Sequence, residues 1–299
     1  MVVGIIIGVL LIVIIGASFF MAYKSMQIRS ETLEEAWKWQ EERCDLSWYD
    51  PLEKTDYTVK SDDDYTLHVQ LLKNPGDTNR YVIISHGNID NRFGALRYAY
   101  MFLEQGFNVI IYDLRGHGMN EPALCTYSAK ERKDLLALIR DSRERYPNMM
   151  FLGLHGKSLG AATSVAVLEE KPPVDFVVAD CGFSEMVPVL KAKLRGMHLP
   201  AFLVNLGSVC AKICFGYSYS DMRPIDCLKE NHIPILFIHG AADELIPPEH
   251  SEKMHRATAG YSELHLIPGA GHSMSIFTDP ETYSNLVKNF IGKVERRPL

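Results

Sequence analysis

The chain has 299 residues, with 31 Lys and Arg against 37 Asp and Glu, a formal net charge of −6. That balance argues against a nucleic-acid binder, which carries a basic excess or stripe. With 47% hydrophobic and 23% charged residues, pervasive disorder, a collagen-like repeat and a disulfide-stapled miniprotein are excluded.

Residues 1–23 carry no charged side chain, and only Gly4, Gly8, Gly16 and Ser18 interrupt their apolar run. As an α-helix the run would be roughly 33 Å long, against a bilayer hydrocarbon core of about 30 Å. A signal peptide would want a basic n-region and a shorter apolar core, and Gly16-Ala17-Ser18 is a poor cleavage site. The expectation is an uncleaved, single-pass transmembrane anchor. Lys24, Arg29, Lys38 and Arg43 follow the run, so the remaining chain should face the cytoplasm. Six scattered cysteines without C-x-x-C spacing agree with that side, although disulfides stay open.

Residues 24–54 form a juxtamembrane helix or linker. The run over 30–43 has helical composition with Ser30 as N-cap. Trp37, Trp39 and Trp48 either sit near headgroups or, the preferred reading, pack on the globular part. Alternating residues over 55–60 and 65–72 flank Ser61-Asp62-Asp63-Asp64 and read as a hairpin. The aspartates lack calcium-loop spacing and a distal Glu, so a solvated turn is expected.

Short, nearly unalternating apolar runs follow at 81–85, 108–112, 149–154, 176–179, 235–238 and 263–267. They read as strands buried on both faces of a parallel sheet. Helical stretches at 92–105, 128–145, 159–170, 248–258 and 280–295 alternate with them, the pattern of a doubly wound α/β domain. Residues 183–230 are too long for one crossover helix and read as an inserted helical cap. Its apolar residues, among them Met186, Leu190, Leu194, Leu199, Phe202 and Val204, either line an acyl-chain pocket over the site or only fasten the cap.

Gly156-Lys157-Ser158-Leu159-Gly160 matches G-x-S-x-G between a strand and a small-residue helix. A nucleophile needs this strand–elbow–helix context. A serine hydroxyl is weak until a base takes its proton. Among 11 histidines the preferred base is His272, in a Gly-rich loop after the last strand; His86, His155 and His239 are the alternatives. The base needs an acid to fix its tautomer. Asp243, past the penultimate strand, is favoured over Asp180, while Asp113 reads as structural. Oxyanion donors are assigned to the backbone N–H groups of Leu159 and Asn88.

The segments SHGN (85–88), YDLRGHG (112–118), GKSLG (156–160), HGAADELIP (239–247) and GAGH (269–272) together resemble the α/β-hydrolase family. They look most like its membrane-anchored serine hydrolases of the lysophospholipase, monoacylglycerol-lipase and serine-aminopeptidase-like group. The resemblance covers about residues 55–295. It implies an α/β-hydrolase fold over 55–299 with Ser158 as nucleophile, Asp243 as acid, His272 as base, and Asn88 with Leu159 as oxyanion hole. Two positions depart from the family pattern: Asn120, where Ser is frequent, and Lys157, where Glu, His or Tyr is frequent. Lys157 either attracts an anionic substrate or lies at the pocket rim.

The leading expectation is a serine esterase cleaving a small-molecule carboxylic ester or thioester. The alternatives are a serine aminopeptidase and a non-catalytic binding protein of the same fold. The triad set disfavours the binding protein, and no acidic site for a substrate amine is evident in the sequence. No metal-ligand spacing or phosphate-cradling loop appears, so no cofactor is expected.

Overall fold

The computed structural model of the chain describes residues 2–297. Eight strands form one sheet: β1 (Lys54–Lys60), β2 (Thr66–Leu72), β3 (Arg80–Ser85), β4 (Asn108–Tyr112), β5 (Phe151–Lys157), β6 (Phe176–Asp180), β7 (Ile235–Gly240) and β8 (Ser262–Ile267). Their order is β1-β2-β4-β3-β5-β6-β7-β8. β2 runs antiparallel to β1 and β4, and every other pairing is parallel. Successive strand residues point to opposite faces. Ile83, Ile110, Leu154, Val177 and Phe237 join one apolar cluster. Val82, Val109, Val178 and Leu236 join the other. Two covered faces explain why these strands read as continuous apolar runs.

Between the strands lie α3 (Leu96–Glu104), α4 (Glu131–Arg145), α5 (Leu159–Ala166) and α8 (Glu249–Ala257), and after β8 come α9 (Ser275–Thr278) and α10 (Pro280–Glu295). Leu135, Leu138 and Ala161 of α4 and α5 cover one face. Tyr98, Phe102, Tyr283 and Phe290 of α3 and α10 cover the other. Between β6 and β7 run α6 (Met186–Gly196) and α7 (Phe202–Phe215). Gly153 of β5 lies so close to Phe176 that a Cβ there would stand 2.0 Å from its ring.

The N-terminal helix packs on the domain through its last turns. α1 spans Val2–Met26. Ser18, Ala22 and Met26, one turn apart, are fully buried. Phe19 stacks on Phe215 of α7, and Ser18 and Met21 lie against Gly207. Before Ser18 none of the described side chains is buried. Among the described residues no helix is long and apolar enough to cross a membrane. Packing on α7 is what takes the last turns of the apolar run.

α2 (Leu33–Glu41) starts at Thr32 and not at Ser30. Thr32 Oγ1 accepts from the Glu35 N–H, and Glu35 accepts from the Thr32 N–H at 2.8 Å, a reciprocal cap. Trp37 packs edge-on against Tyr49 and Phe93, and Trp39 against Phe277, so these tryptophans dock α2 on the domain. The acidic turn is not merely solvated: Asp63 pairs with Arg115 at 2.8 Å and Lys130 at 3.0 Å. All six cysteines are free thiols.

Candidate active site

The elbow follows from chain geometry. β5 delivers Ser158 at the carboxyl edge of the sheet, where open α/β sheets place their sites. Ser158 has φ 55° and ψ −113°, a left-sided conformation that costs an L-residue energy. The turn is held by the Ser158 N–H donating to the Asp180 carbonyl at 2.8 Å. It also needs its two glycines. A Cβ on Gly156 would stand 2.2 Å from the Gly160 carbonyl oxygen, and one on Gly160 2.1 Å from that of Ser85.

Ser158 Oγ donates to His272 Nε2 at 2.8 Å, and His272 Nδ1 donates to Asp243 Oδ2 at 2.7 Å. Asp243 Oδ1 accepts from the Leu245 and Ile246 N–H groups at 3.0 and 2.9 Å. Burial alone would raise the Asp243 carboxyl; hydrogen bonds from His239 and His272 outweigh it and hold the group well below the usual carboxylate range. His239, an alternative base in the sequence, instead supports the Asp243 carboxylate: its Nε2 lies 2.7 Å from the Ile246 carbonyl and 3.2 Å from Asp243 Oδ2. Only its position four residues before Asp243 hinted at this.

The rival groups serve the scaffold. Asp180 is fully buried, accepts from Tyr98 and Ser275 at 3.1 and 3.3 Å, and makes no hydrogen bond to His272. Asp113 grips Arg92 at 2.6 Å. His86 Nε2 accepts from the Leu114 N–H at 2.9 Å, and His155 bonds the Tyr283 hydroxyl at 2.9 Å. Burial pushes both imidazoles down to about 3, so they stay neutral.

Asn88 and Ser158 line one cavity of about 290 Å³ with Glu31, Trp39, Leu245 and His272. Among the described residues the Asn88 N–H has no acceptor. The Leu159 N–H is the first of α5 and, like all helix-start donors, lacks an intrahelical partner. Lys157 lines this cavity, as a rim position would, but not as a free cation. It pairs with Asp90 at 2.7 Å, both side chains largely buried. No residue of 183–230 lines the cavity. Met186, Leu190, Leu194 and Val204 are buried in the core, while Leu199 and Phe202 are exposed, so the cap's apolar residues do not form the expected acyl pocket at this cavity.

Cys181, Asp243 and His272 bring donor atoms within 4.8 Å of one another, the one candidate metal grouping among the described residues. Asp243 and His272 are bound to each other, and burial drives the Cys181 thiol upward, away from the thiolate a metal takes.

The family model described as "Serine aminopeptidase, S33" matches residues 76–214, and that described as "TAP-like protein" matches residues 201–297. These matches and the fold support an α/β-hydrolase family assignment for the chain. The protein YqkD of Bacillus subtilis is 28% identical over 96% of each chain. A yeast relative named as a membrane protein, YNL320W of Saccharomyces cerevisiae, is 23% identical over 81% of this chain and 80% of its own. An esterase of Pyrococcus furiosus superposes with a TM-score of 0.70 at 20% identity, covering 89% of this chain and 98% of that one. At that identity the likeness to the esterase is one of fold.

Proposed function

We propose that this α/β-hydrolase is a serine hydrolase cleaving a small-molecule carboxylic ester or thioester through an acyl-enzyme. The observation that carries the reading is the unbroken relay from Ser158 Oγ through His272 to Asp243 on a strained elbow. His272 Nε2 takes the hydroxyl proton as Ser158 Oγ bonds to the acyl carbon. Asp243 holds the Nδ1–H and stabilises the imidazolium. The Asn88 and Leu159 N–H groups receive the negative charge that develops on the acyl oxygen. His272 then returns the proton to the leaving alcohol or thiol, and a water deprotonated by the same imidazole hydrolyses the acyl-enzyme. The steps call on no cofactor. A fluorophosphonate probe should label the wild-type chain and not Ser158→Ala. Ester turnover should fall in that variant by a factor on the order of 10⁵ to 10⁶, because the triad acts as a unit. A labelled Ser158→Ala chain, or one keeping several per cent of the activity, overturns the reading.

One observation favours a second reading. Glu31 lines the cavity beside Ser158. A substrate ammonium could pair with it, as a serine aminopeptidase requires. Aminoacyl p-nitroanilides turned over faster than the matching esters would decide for it.

We also infer that α1 attaches the enzyme to a membrane. Ile5, Ile6, Val9, Ile12, Val13 and Phe20 are exposed on it, and contiguous exposed apolar surface marks a membrane or partner contact. Lys24 and Arg29 at its end favour a cytoplasm-facing catalytic domain.

A further inference from the structure

The residues between α1 and the end of α2 lie outside both family-matched segments, yet they reach the site. Three sets of hydrogen bonds tie them to the loop after β3. The Glu31 N–H donates to the Ile89 carbonyl at 2.6 Å. Asn91 Nδ2 donates to the Glu31 and Thr32 carbonyls at 3.1 and 3.0 Å. Ser30 Oγ lies 3.3 Å from the Asp90 carbonyl and accepts from the Gly118 N–H at 2.9 Å. The loop needs this hold. Ile89 has φ 63°, an unfavourable conformation for a β-branched residue, and such strain persists only where surroundings enforce it. Ile89 directly follows Asn88, the proposed oxyanion donor. From the other side the Lys157–Asp90 pair grips the same loop.

The strap then contributes a wall. Ala36 and Trp39 of α2 line the cavity that holds Ser158 and His272, with Ile89 and Leu245 as its other apolar members. The Trp39 ring is fixed by Phe277 at its edge and by the Arg43 guanidinium 4.1 Å over its face. An aromatic side chain with restrained rotamers is a low-entropy contact for an apolar ligand group. Ligand pockets are lined mostly by apolar side chains with few polar groups, and this cavity lies at the small end of their range of about 300–1,000 Å³.

We propose that residues 30–39 are a working part of the active site: Asn91 latches them to the oxyanion loop, and Trp39 with Ala36, Ile89 and Leu245 forms a subsite for a short, uncharged apolar group of the substrate. This rests on the serine-hydrolase reading above. Trp39 is a specificity residue, and Asn91 a positioning residue acting through the loop. The apolar group could be the acyl chain or the alcohol part, and one experiment separates them. kcat and KM are measured for p-nitrophenyl esters from acetate to octanoate, and for acetates of methanol to hexanol, with wild type, Trp39→Ala and Asn91→Asp.

In Trp39→Ala, kcat/KM should fall more as one of the two series lengthens, reaching about tenfold at its preferred length, mostly through KM. The series that shows the trend names the part of the substrate the subsite holds. Asn91→Asp keeps the acceptor for the Phe93 N–H but loses the two donations to the strap. It should lower kcat about tenfold across both series with little change in KM, because the oxyanion donor acts in the transition state. A Trp39→Ala loss equal at every length in both series, or an Asn91→Asp effect confined to KM, overturns the inference. Fluorophosphonate labelling of wild type distinguishes the levels. A labelled wild type with flat variants sinks this inference alone, whereas an unlabelled, inactive wild type removes the hydrolase reading beneath it.

Discussion

The backbone strain at Ser158 should be measurable as stability. Ser158 sits at φ 55° and ψ −113°, which is outside even the small left-handed helical region where Asn and Asp are found. Sparsely populated backbone conformations cost about 1–3 kcal/mol, and this ψ belongs in the upper half of that range. Ser158→Ala keeps the strain, and Ser158→Gly relieves it. Against the relief stand about 0.5–1 kcal/mol of extra chain entropy for glycine and a few tenths for the contacts of one buried carbon. The Gly variant should therefore be more stable than the Ala variant by about 1 kcal/mol. Both lack the Oγ, so loss of the Ser158–His272 hydrogen bond cancels between them. Urea unfolding of the two proteins, followed by fluorescence of the three tryptophans, reads the difference as a shift in midpoint at constant slope. A Gly variant equal to or less stable than the Ala variant would refute the strain argument. The elbow would then be a relaxed turn that happens to carry a serine.

Asp243→Asn should leave the fold intact and lower kcat about 10⁴-fold through loss of the tautomer-fixing partner, with Asp180→Asn doing much less to kcat; steady-state ester kinetics with the reverse ranking would move the acid to β6. Acid should destabilise the protein through its buried neutral imidazoles. His86 and His155 are lowered to about 3 in the folded state against an unfolded value of about 6.5. Below about pH 6.5 the unfolded chain thus binds more protons, and stability falls as pH falls toward 3, by about 1.4 kcal/mol per pH unit for each group. His155→Phe should reduce that slope between pH 6 and 4 by about one such increment in urea titrations, and an unchanged slope would count against the neutral assignment. The attachment by α1 predicts that full-length protein pellets with membranes and that protease added to intact cells spares the catalytic domain. Recovery in the soluble fraction overturns the attachment, and digestion without detergent overturns the side.

What the sequence carried well was local. Strand runs over 81–85 or 108–112 are apolar because both sheet faces are covered, and period and composition report that directly. Ser158, Asp243 and His272 are readable because each follows a strand at one edge of the sheet, so chain order implies proximity. What it could not carry was which surfaces meet. Leu190 and Val204 look alike whether they face a substrate or a core, and only packing shows that they belong to the core. Lys157 looks like a free cation until Asp90, 67 residues away, is found 2.7 Å from it.

The N-terminal region shows the same limit with a larger consequence. Hydropathy counts apolar residues and is blind to their partner, so the run over 1–23 reads as continuous. In the fold its later turns already have a protein partner in α7. The chain that leaves α1 does not become a passive linker either. Within four residues of Met26 it is bonded to the turn at Gly118, and one residue later to the loop that holds Asn88. Position of α1 and geometry of the loop after β3 are therefore joined through a segment too short to absorb independent movement. On the proposed function, a chain docked on α7 at one end and forming a wall of the Ser158 cavity at the other would make membrane attachment and catalysis parts of one arrangement.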